Sequence, residues 1–425
     1  MPVYDVIIVG GGIAGIYMAY KCIQNDMNVI LLEKNNYYGG RILTKYNKGP
    51  HHDLQYECGP ARISSHHHRI LDLINTLKLS TNKLQPFKKH RHVNEDESIK
   101  IETDISAEYI QQIIKQSSKY SQSYLQSISF DVLCKKILNK ESIKLQDMFG
   151  YDAEFKYCNA YDAIRMFKRD FQELGTYFIV KDGLSKLVKL LKEEIIKIAK
   201  NKKIHVTFKK NKEISEFYFK KVATVKTKTG EIYEGNKLIW AVPKKALLEI
   251  HGWTNTQRKL LDTVNSISLH RIFCQFPYDN DTGKSWLTNI ERTTTNDAIR
   301  QFIPMGTTKG FAQVSYSDSY YADYWNKYLK QSKIKFTNEL LIHLKKIFPE
   351  VQEYINKPIY IDSQYWLDGV HMWKEGVNSI ELHKQIQNIG NNNPIYIVGE
   401  AYSMHQCWIE GALETVENVF QMIEK

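Results

Sequence analysis

Gly10, Gly12 and Gly15 follow the apolar run Val6-Ile7-Ile8-Val9 in a G-x-G-x-x-G pattern, and Glu33 closes the next apolar run, Val29-Ile30-Leu31-Leu32. Glycines and an acid at this spacing have the chemistry to hold a dinucleotide. Gly10 permits a tight turn, Gly12 lets the backbone approach a pyrophosphate, and Gly15 lets the following helix pack against its strand. That helix opens at Ile13 and Ala14, and its free N–H groups and positive dipole end face the phosphates. Glu33 accepts hydrogen bonds from both ribose hydroxyls and repels a 2′-phosphate, which favours FAD or NAD over NADP.

Three further motifs narrow the choice of cofactor. Glu33-Lys34-Asn35-Asn36-Tyr37-Tyr38-Gly39-Gly40-Arg41-Ile42-Leu43-Thr44 resembles the second fingerprint of the flavin amine oxidase superfamily, an acid followed by Gly-Gly-Arg and then Thr or Ser. Ile395-Tyr396-Ile397-Val398-Gly399-Glu400 resembles that family's closing strand, and Gln406-Cys407-Trp408-Ile409-Glu410-Gly411-Ala412 is similar to its aromatic-x-Glu-Gly-Ala helix start. Ile214-Ser215-Glu216-Phe217 stands where the family has a Val-x-x-Ile strand. The resemblance implies that Gly40 passes close to the pyrophosphate and Arg41 neutralises it. It implies that Ile214 meets adenine through its backbone and that Glu400 contacts the cofactor chain. The helix start at Trp408, Ile409 and Ala412 then faces the pyrimidine edge of the flavin, where a helix N-terminus stabilises the charge of the reduced ring. An NAD-dependent dehydrogenase would not explain the C-terminal Gly-Glu motif. Relatives that attach FAD covalently use a Cys before the last strand; the corresponding stretch, Asp368-Gly369-Val370-His371-Met372-Trp373, has none, so the FAD is expected to be non-covalent.

The substrate side rests on Tyr56-Glu57-Cys58-Gly59-Pro60-Ala61-Arg62, which resembles the Leu-Gly-Pro-Met-Arg segment of L-amino acid oxidases and tryptophan monooxygenase. By that resemblance Gly59, Pro60 and Ala61 lie along the cofactor and Arg62 forks the substrate carboxylate, a planar bidentate, charge-assisted pair. Trp408 occupies the aromatic position that bounds the pocket, and Trp373 or Trp366 forms the opposite wall. One departure stands out: Arg271, in His270-Arg271-Ile272-Phe273, falls where the family commonly carries a lysine near the flavin. Arginine keeps its charge and does not relay protons as lysine does. His270 and the run His66-His67-His68 have no second ligand set at metal spacing, so no metal is expected.

The elements that must position these residues follow from periodicity. The first 45 residues read as a βαβ unit, residues 66–85 as a helix, and residues 100–175 as a helical insertion. Leu184 to Ala199 carries a strong helical stripe; short strands follow at 205–208, 214–218, 221–228 and 237–242, then alternating strands and helices, a strand at 394–400 and a helix from about 408 to 424. The expected fold is α/β: a discontinuous FAD/NAD(P)-binding Rossmann-like domain, a mixed-sheet substrate domain and a helical insertion. The expected segments are 1–65, 181–250 and 386–425 for the FAD-binding domain, with 66–180 (including the insertion) and 251–385 for the substrate domain.

Composition bounds the rest. The chain has 425 residues, 43% hydrophobic, enough to bury a large core in two or three domains. Its six cysteines (Cys22, Cys58, Cys134, Cys158, Cys274, Cys407) lack C-x-x-C spacing, which argues against zinc and a disulfide framework. The net charge of +11 is spread along the chain, as expected of a solvated face that attracts anionic ligands, not nucleic acid. No leader is expected, and no apolar run approaches the roughly 20 residues that cross a bilayer. A cytoplasmic protein without nucleic-acid or membrane partners is expected, and a homodimer is compatible with the sequence. The activity implied is FAD-dependent oxidation of an L-amino acid by O2, giving an imine, then a keto acid and ammonia, with hydrogen peroxide. A monoamine or polyamine oxidase and a catalytically inactive flavin-binding module remain the alternatives.

Overall fold

Two seven-stranded sheets organise the computed structural model, which describes residues 4–48, 53–84, 90–93, 100–102, 106–170, 176–279, 281–282 and 284–424. The first sheet runs Val206–Lys209, Val29–Leu32, Tyr4–Val9, Ile232–Trp240, Ala223–Thr227, Ile214–Phe219, and Ile395–Ile397 also pairs with Ile232–Trp240. Its central pairs are parallel, with Val6 opposite both Val29 and Lys237, and Trp240 opposite Ile397. Parallel strands covered on both faces must be apolar throughout, which is why they read as unbroken hydrophobic runs. Val6, Ile8, Val29 and Leu31 enter one core, with the helices Ile13–Gln24, Ser185–Lys202 and Ile409–Ile423. Ile7, Val9, Ile30 and Leu32 enter the other, with Trp240, Trp253 and Trp373. Strands from near the start, the middle and near the end of the chain thus share one sheet.

The helix Ser185–Lys202 buries Leu187, Val188, Leu191, Ile195 and Ala199, one stripe of a 3.6-residue repeat, and gives way at Lys203, whose φ is +60°. The second sheet runs Tyr360–Trp373, Val264–Gln275, Phe311–Asp318, Gln301–Gly306, Arg292–Thr295, His90–Val93, Lys100–Glu102. It is antiparallel except for the parallel pair of Arg292–Thr295 with His90–Val93, hence mixed. Six helices lie between Ser106 and Asp170, around Phe130, Phe155 and Phe167. Residues 103–105 and 171–175 of the expected insertion lie outside the described residues.

The reading of 66–85 as one helix needs correction. The helix is His68–Thr76, and Thr81–Lys83 is a strand paired with Tyr177–Val180. Lys78 adopts φ +54°, a left-handed turn that stops the helix. The next residues gain more from ladder hydrogen bonds than from another helical turn. The remaining elements fall within a few residues of their expected bounds, with the strand expected at 237–242 running instead from Ile232 to Trp240.

Candidate active site

The turn after Tyr4–Val9 forms an anion cradle. Gly10 has φ +110°, and a Cβ on Gly15 would collide with the Gly10 carbonyl, so the helix can sit this close only on a glycine. A Cβ on Gly12, by contrast, would meet nothing nearer than 4.0 Å: the space in front of it is open. Gly12 caps the helix Ile13–Gln24 without a side-chain acceptor, and the first helical hydrogen bond runs from Ile16 N–H to Gly12 at 3.0 Å. The amides of Ile13, Ala14 and Gly15 therefore lack helical partners and can receive an anion. Glu33, buried at the end of the next strand, accepts from Gly11 N–H at 2.6 Å and Asn35 N–H at 2.8 Å. Lys34 beside it is exposed.

The Gly39-Gly40 loop lies against this cradle: Gly39 N–H donates to Gly11 at 2.8 Å, and a Cβ on Gly40 would approach the Gly12 Cα to 3.2 Å. Arg41 leaves the loop and reaches across the molecule. Its Nη1 donates to Glu400 Oε1 at 2.6 Å and to the Gly369 carbonyl at 2.9 Å. Among the described residues all its hydrogen bonds run through Nη1, which leaves Nε and Nη2 for a phosphate. The same Glu400 oxygen lies 2.6 Å from His371 Nδ1, while Oε2 accepts from Cys407 N–H at 3.1 Å. Burial pushes the Glu400 carboxyl up, but the charges of Arg41 and then His371 outweigh it and hold it down at about 2. On the other side of the ring, His371 Nε2 lies 3.5 Å from the Lys244 backbone nitrogen. His371 is a member of the site that the sequence did not single out, since its partner is distant along the chain.

Gly399 has φ +131°, and a Cβ there would meet nothing within 4 Å, so open space lies before the closing strand too. Its N–H is held by Thr415 Oγ1 at 2.8 Å. The helix Ile409–Ile423 starts at an extended Trp408 with no side-chain cap, and Ile409 and Ala412 are buried in its first turns. Gly411 is required there because a Cβ would run into the His405 carbonyl. Ile214 is buried at the start of its strand, opposite Thr227.

The chain leading into Gly59-Pro60-Ala61-Arg62 is tied to the second sheet and packs against the Arg41 loop. A Cβ on Gly59 would collide with the Arg41 carbonyl, while Pro60 and Ala61 are half-buried. Arg271 Nη1 donates to the Glu57 carbonyl at 3.0 Å and Trp366 Nε1 to the Cys58 carbonyl at 2.7 Å. Arg271 is buried with its guanidinium 4.4 Å from the Tyr316 ring centre. Arg62 is half-buried, its guanidinium 4.9 Å from the Tyr177 ring centre. Among the described residues no carboxylate lies within 4.0 Å of Arg62. The charges of Arg271 and Arg62 both act on the Tyr316 hydroxyl, which burial nevertheless raises, and the Tyr316 ring meets Tyr151 edge-on at 5.4 Å. Tyr151, Tyr177 and Tyr316 come from separate elements, and no local signal marked them.

Trp408 is half-buried, its ring edge-on to His67 at 4.6 Å. Trp373 packs in the core on one side and, with Asp162, Met166 and Gln406, lines a small cavity on the other. It is 1% exposed, its backbone N–H is held by Gln406 Oε1 at 3.0 Å and its indole N–H by the Ser403 carbonyl at 3.2 Å.

The comparisons with known proteins bear on the same residues. Residues 13–418 match the family model described as Flavin containing amine oxidoreductase. The chain belongs to this family. Achacin of Lissachatina fulica is 21% identical over 98% of this chain and 92% of its own length, and Aplysianin-A of Aplysia kurodai 22% over 98% and 89%. The flavin-containing amine oxidase A of Equus caballus is 36% identical, over 81 residues that make up 19% of this chain and 15% of that protein. The cofactor of this flavin-containing amine oxidoreductase is FAD. The residues fit it: an open cradle at Gly12 with free amides behind it, a buried acid at the ribose position, and open space before Gly399.

Proposed function

We propose that this oxidoreductase is an L-amino acid oxidase holding its FAD non-covalently. The observation that carries the reading is Arg62: a half-buried guanidinium, stacked on Tyr177, with no carboxylate of the described residues within 4.0 Å. A half-buried cation with no carboxylate of the described residues beside it fits an anionic ligand, and its planar fork matches the α-carboxylate of an amino acid.

Gly10, Gly12, Gly15, Glu33, Gly40, Arg41, Gly399 and Glu400 would hold the cofactor, with Ile409 and Ala412 at the end nearest the reaction. Bound FAD would supply the two-electron acceptor for a hydride from the α-carbon, with O2 as the terminal oxidant, itself reduced to hydrogen peroxide. Arg62 fixes the carboxylate and so the orientation of the Cα–H bond, and orientation provides much of the rate. Trp408 bounds the pocket and excludes water from the reacting face. Arg271 holds a permanent positive charge beside Tyr316; it lends field, not a proton. The imine product hydrolyses in water to keto acid and ammonia.

The 36% stretch shared with amine oxidase A favours a second reading, oxidation of amines without a carboxylate. Anaerobic mixing of the yellow protein with L-amino acids and with amines separates the two. Bleaching of the flavin by L-amino acids is the expected outcome; bleaching by amines alone overturns it, and bleaching by neither supports a flavin-binding module without turnover. Acid precipitation should release the flavin into the supernatant.

A further inference from the structure

His371 turns the Arg41–Glu400 contact into a three-membered charge cluster. Glu400 Oε1 lies 2.6 Å from both Arg41 Nη1 and His371 Nδ1, and Oε2 accepts from the Cys407 N–H at 3.1 Å. The imidazole is fully buried. Other charged groups packed around it are engaged elsewhere. The Lys244 ammonium pairs with Asp262 at 2.7 Å and donates to the Val264 carbonyl at 2.6 Å, and Asp368 accepts from Ser266. Tyr402, which feels the Glu400 charge, donates to the Leu261 carbonyl at 2.8 Å, and burial pushes its hydroxyl up.

The strand that carries His371 links two parts of the cofactor site. Its Gly369 carbonyl accepts from Arg41 at 2.9 Å, on the phosphate side. Its His371 carbonyl accepts from the Cys407 thiol at 3.7 Å, one residue before Trp408 and the helix Ile409–Ile423.

Charge decides what the cluster can do. With a neutral imidazole, Arg41 and Glu400 sum to zero; with a protonated imidazole, the cluster carries one positive charge. Two-electron reduction of a flavin with uptake of one proton leaves its ring system with one negative charge. A carboxylate in the wall of such a site opposes that charge unless a cation is added beside it. Arg41 is already charged, Glu400 is held ionised, and the Cys407 thiol, raised by burial, already holds its proton. The imidazole is the member of the cluster that can gain a proton near neutral pH.

We propose that His371 takes up the second proton that accompanies reduction of the bound flavin, acting through Glu400. Two electrons and one proton go to the flavin, a second proton passes from solvent to His371, and reoxidation releases it. This rests on the helix start at Trp408 facing the flavin ring, and it is independent of the substrate.

The test follows the midpoint potential of the FAD-loaded full chain between about pH 7.5 and 9, where an ordinary imidazole is neutral. Dithionite is the reductant, and flavin absorbance beside a reference dye is the signal. Each proton bound with the two electrons adds about 30 mV per pH unit, the two-electron equivalent of a tenfold change. The wild type should show about 60 mV per pH unit and His371→Gln about 30 mV. Equal slopes in the two proteins, or about 30 mV in the wild type, overturn the proposal. NMR of histidine-labelled wild type does not depend on the variant binding flavin. On reduction at about pH 8, one imidazole should pass from singly to doubly protonated, and spectra without that change also overturn it. Because dithionite stands in for the substrate, failure of L-amino acids to bleach the flavin would remove the oxidase reading and leave this one standing.

Discussion

Arg41 and Glu400, 359 positions apart in sequence, meet in a 2.6 Å ion pair that joins the loop behind the first glycine cradle to the end of the closing strand. Glu400 is 6% exposed, and His371 and the Cys407 amide complete its coordination. Removing one partner of a buried pair leaves the other charge stranded, which costs more than the pair itself provides. Arg41→Met should destabilise the flavin-stripped chain by about 2 kcal/mol. The midpoint of urea unfolding, followed by tryptophan fluorescence, measures it; an unchanged midpoint would mean the pair contributes nothing.

Acid should undo the same contact. The folded-state pKa of Glu400 is held at about 2, below its ordinary 4.5, so the folded form binds its proton less readily than the unfolded chain. The stabilisation is fully present above pH 4.5 and is lost as pH falls from there through about 2. In Glu400→Gln the contribution of this group to the stability difference between pH 6 and pH 3 should vanish, while the wild type loses on the order of 1–3 kcal/mol from it. Parallel urea titrations of the two proteins at both pH values provide the comparison.

Arg62→Ala should weaken carboxylate substrates by about 3 kcal/mol, roughly a hundredfold, seen as a raised KM. Amines without a carboxylate should be unaffected. Steady-state kinetics on both substrate types decides it, since an equal loss on both would remove Arg62 from the role of carboxylate clamp.

Trp373→Phe should cost about 1–2 kcal/mol of stability through the lost indole hydrogen bond and leave KM unchanged. A large change in KM with stability intact would place Trp373 in the wall of the substrate pocket.

The glycine turns were legible in the sequence because their geometry belongs to backbone and spacing. Gly10, Gly15 and Gly411 must be glycines for steric reasons confined to neighbouring turns, and such reasons show in a local pattern. The parallel strands were legible because burial on both faces leaves an unbroken apolar run. Partnerships across the fold were not. His371, Tyr316 and Tyr151 have nothing unusual beside them in sequence and acquire meaning only from elements packed against them. The surroundings of Trp373 were hidden for the same reason: an aromatic residue in a strand next to a motif looks alike whether it faces a cavity or a core. The helix expected at 66–85 ended early because the pairing of Thr81–Lys83 with Tyr177–Val180 overrode a helical periodicity that was locally sound.

The sheet that carries the cradle is completed by Ile395–Ile397, which docks on Ile232–Trp240 beside the first strand. Until Ile395–Ile397 is in place the outer edge of residues 238–240 has no ladder partner, so the sheet that carries Gly10 closes only through pairings that span most of the chain, and its folding cannot be a local event of the first hundred residues.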